Sequence, residues 1–179
     1  MGPDMCLEST EACVFVACTE AQRALIRDVF AENRETVALL GPLEAPEELA
    51  RRLIEAPDLP PGGSVAYTRN AVIQCRATQV GLGGLELYRG YPDAQTLYIG
   101  GLFLRPAWQG RGLGSEIVAA LKRRARAAGY QRLGAAVGLK NWPALRFWIA
   151  AGFTQIGHVR GDAAYGPERF ANLGLLHDR

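Results

Sequence analysis

The stretch 97–129 constrains the fold and function of this chain more than any other. It runs from an apolar segment through a loop with three glycines into an amphipathic helical segment. A strand that leads through glycines into a helix N-terminus leaves unbonded backbone N–H groups at the positive end of the helix dipole. Because glycines lack the Cβ atoms that would block close approach and tolerate positive φ angles, the stretch predicts a site for phosphate groups. The loop consists of Gln109, Gly110, Arg111, Gly112, Leu113, Gly114 and Ser115.

Charge is distributed unevenly along the chain. Residues 1–93 carry 14 acidic and 8 basic side chains, whereas residues 94–179 carry 4 acidic and 12 basic ones. A basic helix face beside a phosphate-shaped loop favours a polyanionic ligand, and a merely solvated basic surface is the alternative. Nucleic acid is disfavoured, because the basic residues are not interleaved with aromatic ones and the pI of about 8.4 is only moderately high.

Composition points to an ordinary globular chain. With 179 residues and 49% hydrophobic content, we expect one domain over 1–179 that buries a core without disulfides. The cysteines form no C-x-x-C pair and only two histidines accompany them, which argues against structural zinc and for reduced thiols in a cytoplasmic protein. Neither a signal peptide nor a membrane-spanning segment is expected. The four cysteines are Cys6, Cys13, Cys18 and Cys75.

The hydrophobic pattern alternates between strand and helix periods, which predicts an α/β fold. Strands are expected at 13–18, 71–77, 80–88, 97–104, 133–139, 154–159 and 170–176. Helices are expected after a capping box at Thr19 and Gln22, from Pro46 to the residue before Pro57, over 115–129, and from a cap at Asn141 to Gly152.

Two common phosphate-binding loops do not fit the glycine spacing. A dinucleotide fold needs G-x-G-x-x-G and an acid about 20 residues later, but the spacing here is G-x-G-x-G and no acid occurs in 117–161. A nucleotide-hydrolysing P-loop needs Gly-Lys-Ser or Gly-Lys-Thr, and Gly114 is followed directly by Ser115. Neither dinucleotide binding nor nucleotide hydrolysis is supported.

Two segments together resemble the GNAT superfamily of acyl-CoA N-acyltransferases. The first, 109–114, is similar to its Q/R-x-x-G-x-G/A loop for the pyrophosphate of acyl-CoA and follows a strand ending at Leu104. The second, 141–153, is similar to the N-x-x-A-x-x-F-Y-x-x-x-G-F segment of that family. Pro60-Pro61-Gly62-Gly63 and Gly90-Tyr91-Pro92 resemble a branch of small bacterial members.

The resemblance implies a fold and a set of cofactor contacts. The fold is a mixed, mostly antiparallel sheet flanked by helices, in which strands four and five splay apart and admit the pantetheine arm of acetyl-CoA. The arm would pair with the backbone of Leu102 and Leu104, with Phe103 between them as a further cofactor-binding residue, and the pyrophosphate would bind the N–H groups of 109–115. Asn141 would bind the arm as well, and its alternative role is the helix N-cap.

The resemblance also implies catalytic positions, where this chain departs from the family. Many members use a tyrosine to protonate the leaving sulfur, and Trp148, which does not titrate, stands at that position. The glutamate often found on strand four is replaced by Tyr98. Glu86 on the neighbouring strand is the nearest candidate base, and an exposed strand residue without a role is the alternative.

These features predict an acetyl-CoA-dependent N-acetyltransferase acting on a primary amine. The rival is a catalytically silent acyl-CoA-binding regulatory module that keeps the cofactor loop and has lost acid and base. The acidic N-terminal half favours a cationic acceptor, with a solvated acidic surface as the alternative. No nucleic acid, membrane or metal is expected as a partner, and a homodimer is compatible with the sequence, which does not set the oligomeric state.

Overall fold

The computed structural model describes residues 9–178. These residues form a seven-stranded sheet with helices on both faces, and the predicted α/β fold is confirmed. The strands are β1 (Cys13–Ala17), β2 (Thr68–Cys75), β3 (Gly81–Arg89), β4 (Thr96–Leu104), β5 (Arg132–Gly138), β6 (Gln155–Gly161) and β7 (Ala171–Asp178). The helices are α1 (Arg23–Glu32), α2 (Arg34–Val37), α3 (Pro46–Glu55), α4 (Leu113–Ala127) and α5 (Trp142–Ala150). The short α2 has no counterpart among the predicted helices.

The order of strands in the sheet is β1-β2-β3-β4-β5-β7-β6. Neighbours are antiparallel except for β4 and β5, which run parallel. This pair is joined only where Thr96–Ile99 lies opposite Arg132–Ala135. Beyond that point both strands continue without pairing to each other, so the expected mostly antiparallel sheet with splayed strands four and five is confirmed.

Two apolar clusters cover the two faces of the sheet. On one face α4 and α5 pack through Ile117 and Trp148 against strand residues such as Leu97. On the other face α1 and α3 pack through Phe30 and Leu53. Because α1 and α3 lie over the first strands of the sheet, the second face is less covered near the splayed strands, and a cleft opens there.

Local sequence explains how two of these helices begin. The chain enters α1 through the predicted capping box, in which the Gln22 side chain accepts a hydrogen bond from the Thr19 N–H at 3.2 Å. Asn141 caps α5 by accepting from the Ala144 N–H at 3.2 Å, and Pro143 lies in the first turn, where its missing N–H is tolerated.

Within residues 9–178 the thiols of Cys13, Cys18 and Cys75 are free, the first buried and the other two half-buried. Cys6 lies outside the described residues. No helix in the described part of the chain is both long and apolar enough to cross a bilayer. That part also brings no three potential His, Cys, Asp or Glu ligands together around a common point.

Candidate active site

The loop at the start of α4, residues 109–115, forms a shallow cradle. Gly110 and Gly112 have φ angles of +69° and +83°, which only glycine adopts without strain. A Cβ atom at either position would meet no other atom within 4 Å, so both face open space. The first helical hydrogen bond runs from the Glu116 N–H to the Gly112 carbonyl at 3.0 Å. The preceding N–H groups have no carbonyl partner in the helix. They belong to Leu113, Gly114 and Ser115.

Gly114 serves a different purpose from the other two glycines. A Cβ atom there would lie 3.3 Å from the ring of Phe147, so this glycine allows α4 and α5 to approach each other. The expectation that all three glycines clear space for a ligand therefore applies to Gly110 and Gly112, and Gly114 is explained by packing. Between the glycines, the Arg111 guanidinium lies over the Trp108 ring at 5.7 Å from its centroid.

Side-chain contacts tie the cradle to α1. The Gln109 amide donates to the Leu104 carbonyl at 2.8 Å and to Asn33 Oδ1 at 3.1 Å. The neighbouring Arg105 forms an ion pair with Glu32, the last residue of α1. The side chain of Gln109 is thus used to fix the loop. No sequence pattern indicates the contacts with α1, because their partners lie more than 70 residues apart.

The separation of β4 and β5 leaves part of the β4 backbone without a strand partner. The Arg105 N–H donates to Leu82 at the β3 side at 2.8 Å. Hydrogen-bonding direction alternates along an antiparallel pair, so Phe103 also points its backbone groups toward β3. Leu102 and Leu104 point theirs toward the gap between β4 and β5. The Phe103 side chain packs against Phe30 of α1, on the face of the sheet that α1 and α3 cover.

A cleft of about 580 Å³ continues from this gap along the sheet face below α1 and α3. Its walls contain several of the residues that the sequence singled out, although these lie on different strands and helices. The structure brings them into one space. The cradle residues 109–115 do not line this cleft. The shared residues are Glu86, Tyr98, Leu102, Phe103, Asn141 and Trp148.

Glu86 lies half-buried in the cleft wall, opposite Gly101 of β4 and next to a β-bulge at Gly100. A Cβ atom at Gly101 would lie 3.0 Å from Glu86 Oε1, so this glycine leaves room for the carboxyl group. Burial and, to a smaller extent, the charge of Asp58 raise the pKa of Glu86 to about 7, against the opposing charge of Arg52. The interpretation of Glu86 as an exposed residue is therefore wrong. A carboxyl group with a pKa near neutrality is suited to accept a proton.

Tyr98 is buried in the cleft floor within a cluster of rings. Its ring lies 4.9 Å from that of Tyr91, edge to face, and 6.2 Å from that of His158, stacked. Burial raises the pKa of the Tyr98 hydroxyl well above its usual range, and the nearby Tyr91 adds to this effect. Tyr98 therefore stays neutral and can donate a hydrogen bond, but it is a poor proton donor.

Trp148 and Asn141 line the cleft from α5. Trp148 is 4% exposed and packs edge to face on the rings of Phe147 and Phe153, at 5.1 and 4.9 Å between centroids. Its indole is thus largely a core group with one side at the cleft. Asn141 uses its carbonyl oxygen as the helix cap. Within residues 9–178 no acceptor is bonded to its amide NH₂ group.

Five further cleft residues were not singled out as site residues from the sequence. They lie on α3, on β6 and in the loops after α3 and β3, and no local motif connects them. Only Tyr91 belongs to a segment, 90–92, that resembles members of the family. Their charges and rings belong to the cleft because the sheet brings distant segments together. They are Arg52, Asp58, Tyr91, His158 and Arg160.

Comparison with known proteins agrees with this geometry. The sequence profile described as Acetyltransferase (GNAT) family matches residues 43–153. The chain belongs to the GNAT acetyltransferase family. The match covers the cradle, the gap and part of the cleft, whereas the cleft residues His158 and Arg160 lie beyond it. No curated protein matches the chain closely enough to count as a relative.

Solved structures show how widely this GNAT fold is shared. An acetyltransferase from Thermus thermophilus is 26% identical, with a TM-score of 0.67 over 96% of this chain and 100% of that one. The Salmonella typhimurium enzyme that modifies the N-terminal serine of ribosomal protein L7/L12 is 18% identical, with a TM-score of 0.71 over 97% and 98%. RimL, a ribosomal L7/L12 alpha-N-protein acetyltransferase in complex with coenzyme A, is 16% identical, with a TM-score of 0.69 over 96% and 97%. At identities of 16 and 18%, the last two support the fold alone.

Proposed function

We propose that this GNAT protein transfers an acetyl group from acetyl-CoA to a primary amine, by direct attack while both substrates are bound. The observation that carries the proposal is the continuity of one cleft. The same space reaches the unpaired backbone of β4 and a carboxyl group, Glu86, whose pKa lies near 7. A site for an acyl donor and a base for an acceptor therefore adjoin each other.

The cofactor proposal rests on the fit of the donor site. The open cradle at Gly110 and Gly112 suits the pyrophosphate, and the gap-facing backbone at Leu102 and Leu104, next to Phe103, suits the pantetheine arm. The Asn141 NH₂ group is available to the same arm. Acetyl-CoA supplies an activated acetyl thioester. Coenzyme A is bound in the RimL structure, and we extend that ligand to this chain as part of the proposal.

Glu86 is the proposed base for the acceptor amine. A primary amine arrives mainly as an ammonium ion, which cannot attack until it loses a proton. Glu86 accepts that proton, directly or through a water molecule. Two further acids in the cleft, Glu44 and Asp58, favour a cationic amino group, although Arg52 lies 3.0 Å from the first and 3.8 Å from the second and offsets part of their charge.

Trp148 and Tyr98 are proposed as hydrogen-bond donors toward the reacting groups. Neither is an effective proton donor, since the indole does not titrate and the Tyr98 hydroxyl holds its proton tightly. A strong acid is not required, because a thiol has a pKa of about 8.5 and its thiolate is a fair leaving group near neutral pH. The departing sulfur can take its proton from solvent.

A thiol-release assay with purified protein, acetyl-CoA and a panel of amines tests this proposal. An acetyltransferase releases free thiol only when a suitable amine is present. The alternative, a catalytically silent acyl-CoA-binding module, is favoured by the absence of a titrating acid at Trp148. Such a module would bind acetyl-CoA in calorimetry without amine-dependent thiol release. A homodimer, a cytoplasmic location and the absence of a nucleic-acid partner stay predictions.

A further inference from the structure

The far end of the cleft carries an arginine that forms no ion pair with a carboxylate of the described residues. Arg160 lies on β6, two residues after His158, and both side chains line the cleft. Within residues 9–178 no Asp or Glu oxygen lies within ion-pair distance of its guanidinium. The nearest acid along the chain, Asp162, follows the end of β6 and accepts instead from the Phe170 N–H at 2.7 Å and from Arg169 at 3.4 Å. The charge of Arg160 is therefore available.

An aromatic platform holds Arg160 in position. Its guanidinium lies over the Tyr91 ring, 5.3 Å from the centroid, and Tyr91 in turn packs edge to face on Tyr98 and His158. Two glycines in neighbouring strands leave the space that the Tyr98 and His158 rings occupy. A Cβ atom at Gly134 would overlap the Tyr98 ring, and one at Gly174 would overlap the His158 ring. A guanidinium that lies over a ring at a cleft wall is suited to bind a carboxylate through two parallel hydrogen bonds.

The charges in the cleft favour a singly charged anionic group. Arg52, the other cation in the walls, is already engaged with Glu44 and Asp58. One free guanidinium matches one carboxylate. A phosphate with two charges would face Glu44, Asp58 and Glu86 with a single cation to balance it.

The sheet sets the spacing between this end and the proposed base. Glu86 on β3 and Arg160 on β6 are separated by four steps in the strand order, of which three are about 4.8 Å and the step from β4 to β5 is wider where these strands splay. The two side chains therefore reach into the cleft from distant strands, with the Tyr98 and Tyr91 rings between them. A ligand that touches both ends needs several bonds between its amino group and its anion. The rings provide apolar surface for that spacer.

We infer that the acceptor is an amino carboxylate whose carboxylate binds Arg160 while its amino group, several bonds away, lies at Glu86. This inference rests on the proposed acetyl transfer and specifies its acceptor. The positive charge expected of the acceptor then belongs to its amino end alone. Arg160 is a specificity-determining residue and takes no part in proton transfer.

The experiment uses a homologous series of amines. The series glycine, β-alanine, 4-aminobutanoate, 5-aminopentanoate and 6-aminohexanoate, together with L-lysine, is assayed by thiol release against the matching carboxamides. We expect the longer amino carboxylates to have a KM at least about tenfold below that of their carboxamides. Arg160→Gln should raise that KM by about ten to a hundredfold, with kcat and the KM for acetyl-CoA unchanged, and Arg160→Lys should restore part of the loss.

Arg126→Gln, which removes an exposed arginine near the end of α4, is the matched control and should change no constant. Equal use of carboxylates and carboxamides, an optimum at glycine, or constants that do not respond to Arg160→Gln would each overturn the inference while leaving acetyl transfer intact.

If no amine at all is acetylated, the proposed function fails, and calorimetry with 6-aminohexanoate in the presence of coenzyme A then decides the inference. Binding that depends on Arg160 would support it, and absence of binding would overturn it.

Discussion

The cradle and the acceptor end of the cleft are built in opposite ways. The cradle is a run of seven consecutive residues, 109–115, and offers backbone N–H groups at the start of a helix. The acceptor end consists of side chains such as Glu86, Tyr98 and Arg160, which come from three different strands. The cradle therefore depends on local conformation and tolerates most side-chain changes that preserve it. The acceptor end depends on single functional groups, so one substitution there should have the larger effect.

Removal of the proposed base should have the largest effect. Glu86→Gln keeps the size of the side chain and removes its ability to accept a proton, so kcat/KM at pH 7.5 should fall by about 10²- to 10⁴-fold. In the unchanged enzyme kcat/KM should fall as the pH drops below about 7, because Glu86 then holds its proton. The pH profile of the variant should lack that inflection.

Asp58→Asn is the control for this comparison. Asp58 raises the pKa of Glu86, so its removal should move the inflection to lower pH while kcat on the plateau is kept. A Glu86→Gln variant that turns over amines at the unchanged rate across the pH range would contradict the assignment of the base.

Binding of acetyl-CoA at the cradle should depend on the backbone conformation of the loop alone. Gly112→Val places a β-branched residue at a φ of +83° and a side chain in the space proposed for phosphate, so affinity for acetyl-CoA should fall by at least about tenfold. Gly129→Val is the matched control at the far end of α4, because Gly129 has a φ of +84° and is equally open. Calorimetry and urea unfolding measure the two effects separately.

Both valine variants should lose stability by about 1–3 kcal/mol, as expected for a strained backbone position. Only Gly112→Val should also weaken acetyl-CoA binding. Unchanged affinity in a folded Gly112→Val protein would remove the main support for the cradle as the cofactor site. Should the valine variant fail to fold, Gly112→Ala and Gly129→Ala provide the same comparison with a smaller strain.

The same contrast explains what could be predicted from the sequence. The cradle and its helix are continuous in the chain, so glycine spacing and helix periodicity indicate them directly. The ring cluster around Tyr91 and His158 depends on strand order and on two glycines that let rings lie flat, and neither is visible in a local pattern. The sequence indicates Glu86 as a candidate base, but its raised pKa follows from burial and from Asp58, which only the folded chain brings near.

The raised pKa of Glu86 also predicts a cost in stability. The ionised form is disfavoured in the folded state, so the pKa rises from 4.5 to about 7, and stability is lost as the pH rises through that interval. Glu86→Gln is neutral throughout and should therefore unfold at higher urea concentration at pH 8, with a gain of about 1–3 kcal/mol that mostly disappears at pH 5. The same exchange at the exposed Glu35 of α2 is the control. A gain that does not depend on pH would show that burial of the charge is not its cause.

The smallest effect on catalysis is expected at Trp148, a core residue of α5 with one side at the cleft. If its indole contributes one hydrogen bond at most, Trp148→Phe should reduce kcat by no more than about tenfold, and Trp148→Tyr should keep or raise it, because a phenol can also act as an acid. Trp148 is 4% exposed and packs against Phe147 and Phe153, so both variants will lose stability, and rates must be referred to folded protein by thermal melting. A hundredfold loss in folded Trp148→Phe would mean that the indole N–H acts on the reacting groups directly. The acceptor end of the cleft would then include Trp148 on α5, and the boundary between the acceptor end and the donor site would lie at a different place from the one proposed here.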